Sequence, residues 1–355
     1  MVNQRGAERL PAGALSTRVG GESREMSITK ENRFGFGGGI RVDALFRVLF
    51  GSAVVVAGIL LVGVVLSMVV SSLPVWNIQT PLSFVFGDRW AGEVTQPDGS
   101  VVGNYGALPV IWGTVVSALI AILIAAPVGI LAAVYLVEFA PRRLAAPLTF
   151  LVELMAAIPS VVIGLWAAGD LSARLRDSVE WWVASTLGSI FPWLAEDPEA
   201  PAAQSVFRAG MVLAIMIIPM VVAISREVIR SVPQSLREGF IGMGATRWET
   251  IRHVVLPAAR IGLTGAVLLA LGRAIGETIA VTMVIGNAEG IPSSLFLPGQ
   301  TIASKIASNY AEASTPTETG ALAALGICLF AVTFMLSLAI RLLVRRAARG
   351  GGQTS

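Results

Sequence analysis

Two side chains of opposite charge stand four positions apart inside an apolar run. They are Arg273 and Glu277, in GRAIGETIAVTMVIGN from Gly272 to Asn287. The run Ile261 to Asn287 holds no other charge and is long enough to cross a bilayer, which takes about 20 residues. An arginine near the middle of such a span costs about 2.5–3.5 kcal/mol on insertion scales, and charges kept there usually mark a pathway. On a continuous helix the two residues share a face. A self-neutralising pair, or a partner-helix contact through Gly272 and Gly276, is the structural alternative. A second apolar run supplies two weaker candidates. Glu153 pairs with Arg273 or with an arginine of a partner, or else snorkels to the nearer face. Ser160, just after Pro159, exposes a hydroxyl at a local break or bonds its own backbone.

Other chemistries are poorly supplied. One cysteine, Cys328, and one histidine, His253, leave no disulfide framework and no zinc site. Of 26 basic residues only Lys30 and Lys305 are lysines. A phosphate-cradling loop needs Gly-Lys followed by Ser or Thr. Thr29 precedes Lys30 and Ser304 precedes Lys305, so no ATPase motif is present.

The elements that hold these residues are apolar and numerous. The composition is 54% apolar and 14% charged, as expected of a membrane protein. Six spans are predicted, at about 48–70, 108–137, 144–169, 206–225, 261–287 and 321–340. Residues 1–40 are read as a disordered tail with no cleavable signal, and Met26 is an alternative start. Residues 41–346 make the all-α transmembrane domain, and 347–355 a C-terminal tail. With the N-terminus in the cytoplasm, 20 of the arginines and lysines fall on that side and 5 outside, an arrangement that obeys the positive-inside rule. Asp170 to Gln204, with Trp181, Trp182 and Trp193, reads as an interfacial helix, and Leu295 to Tyr310 as a short surface helix.

Between the fourth and fifth spans lies SLREGFIGMGATRWETIRHVVLP, Ser235 to Pro257. Ser235 with Glu238, and Thr246 with Glu249, each fit a capping box. Gly242 and Gly244 supply the turn between two short helices. The first helix would present Leu236, Phe240 and Met243, and the second Trp248, Ile251 and Val255. Pro257 would open the next long helix.

This stretch resembles the EAA loop of ABC importer permeases: EAA, three residues, Gly, nine residues, Ile, one residue, Leu-Pro. Here the positions are Glu238, Gly239 and Phe240, then Gly244, then Val254, Leu256 and Pro257. Gly239, Phe240 and Val254 depart from the pattern in size, not charge. GRAIGETIAVTMVIGN, together with ELMAAIPSVVIGLW from Glu153 to Trp166 and GATRWETIRHVVLP, resembles the PstC-type permease family of phosphate ABC importers.

The resemblance implies a type I ABC importer permease (MetI-like) fold. It implies a multi-pass protein of the bacterial inner membrane with both termini cytoplasmic. It implies no cofactor and no enzymatic activity on this chain. The implied partners are a second, PstA-like permease, a dimeric PstB-like ATPase and an extracytoplasmic, PstS-like phosphate-binding protein, with the lipid bilayer around them and no nucleic acid. Glu238, Gly239, Phe240, Gly244, Thr246, Trp248, Leu256 and Pro257 would couple to the ATPase. Arg273 and Glu277 would serve transport, with Glu153 and Ser160 as further pathway residues. Other oxyanion importers, for sulfate or molybdate, and ion-driven secondary transporters are the alternatives.

Overall fold

The computed structural model describes residues 39–95, 101–195 and 204–350. The predicted N-terminal tail, 1–40, lies outside these residues but for its last two, while the predicted C-terminal tail, 347–355, is described as far as Gly350, as the end of a helix. The chain divides into two units, Met1–Leu60 and Leu61–Ser355. The first contains the start of helix α1 (Gly39–Trp76), where the apolar side chains between Leu45 and Leu60, among them Val48, Val54 and Ile59, are exposed all round. A helix that is apolar on every side belongs in lipid or against another apolar chain.

The second unit holds the other elements. Helix α2 (Pro81–Phe86) leads into a two-stranded antiparallel hairpin, β1 (Trp90–Thr95) and β2 (Val101–Tyr105). The sequence reading leaves this stretch as a long loop, and the hairpin is the one sheet among the described residues, beside an isolated bridge between Gly286 and Gly299. Trp90, Phe84, Trp76 and Tyr105 join it to the end of α1 through edge-on ring contacts.

Helix α3 (Leu108–Val134) runs on through Pro127 and closes in a π turn, Tyr135–Phe139. Helices α4 (Arg142–Ala156) and α5 (Ser160–Trp166) make one bent element. Beyond α5 the chain kinks at Gly169, φ −88° and ψ −110°, and then runs on helically through α6 (Ser172–Leu175) to α7 (Trp181–Leu187), with a π turn between them. The predicted interfacial helix is thus an extension of the third span. Helix α8 (Val206–Arg230) is the most buried span, because it lies against α3 along its length. Small residues on α3, Ala118, Ala121 and Ala125, face Ala209, Leu213, Ile217 and Val221 of α8. Where lipid is as apolar as the helix, such packing is set by small side chains that let backbones approach.

Helices α9 (Gln234–Gly242) and α10 (Arg247–Thr250) form the predicted loop. A π turn, Ile251–Val255, carries α10 straight into α11 (Leu256–Ile275). Pro257 therefore sits inside a continuous helix of 29 residues, Arg247–Ile275, instead of opening a new one. A proline in a helix removes one donor and crowds the preceding turn. The wider π turn ahead of Pro257 is the kind of local adjustment that accommodates this.

Helix α12 (Ile279–Ile285) follows a break. Helices α13 (Ile302–Asn309) and α14 (Pro316–Gly350) complete the unit. α13 is not a surface helix, since Ile302, Ala303, Ser304 and Lys305 are all buried. Among the described residues five helices are long and apolar enough to cross a membrane, and six if the bent element that begins with α4 and α5 counts as one span.

Candidate functional site

The third and fifth spans are both broken. Pro159 has no N–H and pushes its predecessor out of helical geometry. Accordingly α4 ends at Ala156, Pro159 is extended at φ −59°, ψ 137°, and the two parts of the span meet at 88°. In the fifth span α11 stops at Ile275, and Gly276 and Thr278 lead into α12. The continuous helix expected over 261–287 is therefore absent, and Arg273 and Glu277 do not share one helix.

The two broken spans pack on each other beyond their breaks. α5 meets α12 at Gly164, where a Cβ would lie 2.7 Å from Cα of Ala280 and 2.9 Å from Sδ of Met283. α12 is held firmly at its far end. Gln204 Nε2 donates to Met283 O at 3.3 Å, and the Ser205 amide donates to Val284 O at 3.1 Å. The Gly299 amide donates to Ile285 O at 3.0 Å. A seven-residue helix too short to be stable alone is thus fixed by caps from two other segments.

Glu277 sits in the break, half-buried, and its Oε1 accepts the Ala280 amide at 3.4 Å. Arg273, in the last turn of α11, is exposed and makes no ion pair with Glu277 among the described residues. The self-neutralising pair is therefore excluded in this structure. A guanidinium at a helix C-terminus faces carbonyls that lack intrahelical partners, a favourable place for a cation. Glu153 lies elsewhere. Its Oε1 takes a bond from Arg226 Nη2 at 3.2 Å, at the loop end of α8, not from Arg273. Ser160 is half-buried in the first turn of α5, next to the bend.

The loop is built from one formed cap and one glycine turn. Gly244 adopts φ +93°, which glycine reaches without strain. Gly242 ends α9 with no positive φ. Thr246 and Glu249 form the reciprocal capping box: the Thr246 amide donates to Glu249 Oε2 at 2.7 Å, and the Glu249 amide to Thr246 Oγ1 at 3.3 Å. The backbone and hydroxyl bonds from Thr246 hold the Glu249 carboxyl below its usual value. The box expected at Ser235 and Glu238 does not form, since the N-cap is Pro233, two residues earlier, and Ser235 already lies within α9. Glu238 and Gly239 remain exposed.

The apolar residues of the loop divide. Ile251 and Val255 are buried with Val134, Leu136 and Ile229, and root the loop in the bundle. Leu236, Ile241, Met243 and Trp248 stay uncovered, Met243 being 76% exposed. Phe240 is half-buried beside the His253 ring. Trp248 therefore does not share a side with Ile251 and Val255, and Leu256 and Pro257 belong to the long helix.

Three tertiary charge contacts were not legible from sequence. Arg237 Nη1 and Nη2 donate to Val232 O and Ile229 O at 2.6 and 2.7 Å, and Nη2 pairs with Glu138 at 3.2 Å. This clamps the base of the loop to α8 and α3. Arg208, 1% exposed, forms a two-pronged pair with Glu180, both bonds at 2.7 Å, and the Ser205 hydroxyl also donates to Glu180. Lys305, 2% exposed, pairs with Glu289 at 3.0 Å and lies 5.1 Å from the Trp90 ring centre. No group of His, Cys, Asp and Glu fit for a metal occurs among the described residues.

Comparison with known proteins agrees with this architecture. The family "Binding-protein-dependent transport system inner membrane component" matches residues 125–349. A phosphate transport system permease protein PstC of Mesorhizobium japonicum is 40% identical over 312 residues, 87% of this chain and 92% of the relative. The PstC of Haemophilus influenzae is 36% identical over 314 residues, 88% and 96% of the two chains. A solved bacterial alginate ABC transporter, in complex with its alginate pentasaccharide-bound periplasmic protein, shares the fold. Its chain aligns with a TM-score of 0.56 at 17% identity over 88% of this chain and 97% of its own. The relatives are named as permeases and not as enzymes. A multi-pass membrane chain with a broken fifth span and a capped two-helix loop, it belongs to the binding-protein-dependent inner membrane transport components, among the PstC-type permeases.

Proposed function

We propose that the chain is the permease subunit of an ATP-driven phosphate importer. It forms half of the translocation pathway and couples through the Ser235–Pro257 loop to a separate ATPase. The observation that carries this reading is the exposed guanidinium of Arg273 at the end of α11, one turn before a break that holds Glu277. Phosphate at neutral pH carries between one and two charges and keeps at least one proton. Arg273 offers its oxygens a planar fork of donors. Glu277 has one carboxylate oxygen on the Ala280 amide and the other free to accept the proton of the substrate. An oxyanion without a proton meets repulsion there, which gives selectivity. Glu153 serves the loop end of the bundle through Arg226, and Ser160 lines the bend beside α12.

The uncovered Leu236, Ile241, Met243 and Trp248 form the surface that meets the ATPase, with Glu238 and Gly239 beside them. On this reading the loop, both termini and the arginine-rich side are cytoplasmic, as the arginine count requires under the positive-inside rule. The remaining subunits of the assembly are a second, PstA-like permease, two PstB-like ATPase chains and a PstS-like binding protein. The test is phosphate uptake in a strain lacking the gene, complemented with wild type or Arg273→Gln, normalised to assembled complex. Uptake restored by wild type and absent with the variant supports the reading. Equal uptake by both removes Arg273 from the pathway, and restoration of sulfate rather than phosphate uptake replaces the substrate.

A further inference from the structure

At the loop end of the bundle, α11 and α14 enclose a groove of about 510 Å³ that none of the roles above uses. Its rim carries Arg260, Arg341 and Arg345. All three are exposed, and none forms an ion pair among the described residues. Neither helix supplies one nearby: Leu256–Ile275 contains no Asp or Glu, and the one acid of α14, Glu318, lies in its first turn, at the opposite end from Arg341 and Arg345. Below the rim the walls are apolar: Ile261, 80% exposed, with Leu268 and Val344. The floor is open at Gly265, where a Cβ would meet nothing within 4 Å. Thr264 turns its hydroxyl back to Arg260 O at 2.7 Å, so it adds no free donor to the wall.

The position fits a membrane edge. On α11 the uncharged run begins directly after Arg260, and on α14 it ends directly before Arg341. Both helices thus leave the hydrocarbon layer at one level, and three cations gather there over an apolar slot. A soluble anion would use the rim and leave the slot empty. An apolar segment of a protein would fill the slot and leave three cations unanswered. A molecule with an anionic head and acyl chains uses both. We infer that this groove is a binding site for an anionic phospholipid, its phosphate on Arg260, Arg341 and Arg345 and an acyl chain along Ile261, Gly265 and Leu268. The inference stands whether or not the transported solute is phosphate.

The test is native mass spectrometry of the full-length protein, purified with whatever subunits accompany it. Phosphatidylglycerol and phosphatidylcholine of identical chains are offered as probes. Each arginine near a lipid surface is expected to contribute about fivefold, so the wild type should prefer the anionic lipid by roughly a hundredfold. Arg341→Gln should lower that preference about fivefold. The triple Arg260→Gln, Arg341→Gln, Arg345→Gln variant should abolish it. Gly265→Leu, which plugs the slot and keeps every charge, should reduce retention of both lipids. Monodisperse elution of each variant checks that it is folded. Equal retention of the two lipids by wild type, or a preference unchanged in the triple variant, would overturn the assignment. So would displacement of the lipid by inorganic phosphate, which marks a free-anion site. Lipid binding seen only after partner subunits are stripped away would show instead that a protein segment fills the groove.

Discussion

Arg273 and Glu277 sit on opposite sides of a helix end, and this separates their expected behaviour. Arg273→Gln should stop uptake, because an anion in a low-dielectric site needs a compensating cation more than a neutral donor. Arg273→Lys should leave a reduced rate, since charge survives and the planar fork does not. Glu277→Gln keeps an oxygen that can accept the Ala280 amide. The break should therefore persist while the repulsion is lost, and sulfate should begin to compete in uptake assays. A variant with normal selectivity would assign Glu277 to capping α12 alone. The buried pair is a different case. Removing Glu180 strands the Arg208 guanidinium, and breaking such a pair costs about 3–5 kcal/mol. Glu180→Ala should lower the thermal unfolding temperature far more than Glu153→Ala, whose carboxylate is largely in solvent. A composition count treats Arg208 and Lys305 as outward-facing charges. Their partners stand 28 and 16 positions away, and no local pattern announces them.

The loop shows how far local rules reach. The box at Thr246 and Glu249 forms as its spacing requires, and the turn at Gly244 takes a positive φ. Gly244→Val should abolish uptake while the protein still inserts, because a β-branched residue resists that φ. Full uptake and full ATPase binding in the variant would refute the two-helix coupling surface. The Glu249 carboxyl is held below its usual 4.5, so the ionised cap adds stability above about pH 4.5. That contribution fades as pH falls through the lower folded-state value, since the folded state then takes up a proton with more difficulty than the unfolded one. Protection of the Thr246 amide, measured against its intrinsic exchange rate at each pH, should fall on acidification in the wild type. It should be nearly independent of this titration in Glu249→Gln, whose amide oxygen still accepts the bond but does not titrate.

The breaks were less legible. Pro159 signals one, yet hydropathy runs smoothly through Ala157 and Ile158. Gly276-Glu277-Thr278 carries no proline, and the i, i+4 spacing of Arg273 and Glu277 argues for continuity. What ends α11 there is tertiary: α12 is captured by Gln204, Ser205 and Gly299. Likewise the Ser235 box fails because Pro233 already starts α9.

For the molecule as a whole, the arginine distribution predicts that the loop and the α13–α14 connection lie on opposite faces. Single cysteines at Ser235 and at Ser314, in a Cys328→Ser background, should react with an impermeant reagent from opposite sides. Reaction of both from outside would overturn the topology. The spans were readable because each is a long apolar run, uncharged except for Glu153 in the third, Arg208 in the fourth and Arg273 and Glu277 in the fifth. Which spans meet was not, since apolar pattern in lipid distinguishes poorly between a face on lipid and a face on another helix.

The unbroken helix from Arg247 to Ile275 has a mechanical consequence. At 1.5 Å per residue its 29 residues make a rod about 43 Å long, with Trp248 at one end and the Gly276 break at the other. A rod transmits torque, so its two ends keep a fixed angular phase. The π turn at Ile251–Val255 sets that phase. Removing a single residue from it, while leaving every contact residue in place, would turn Trp248 by about 100° relative to the break. Such a deletion should leave a permease that still docks its ATPase and still carries Arg273. On the proposed coupling, the partner ATPase would then hydrolyse ATP out of step with solute, like a gear slipped by one tooth.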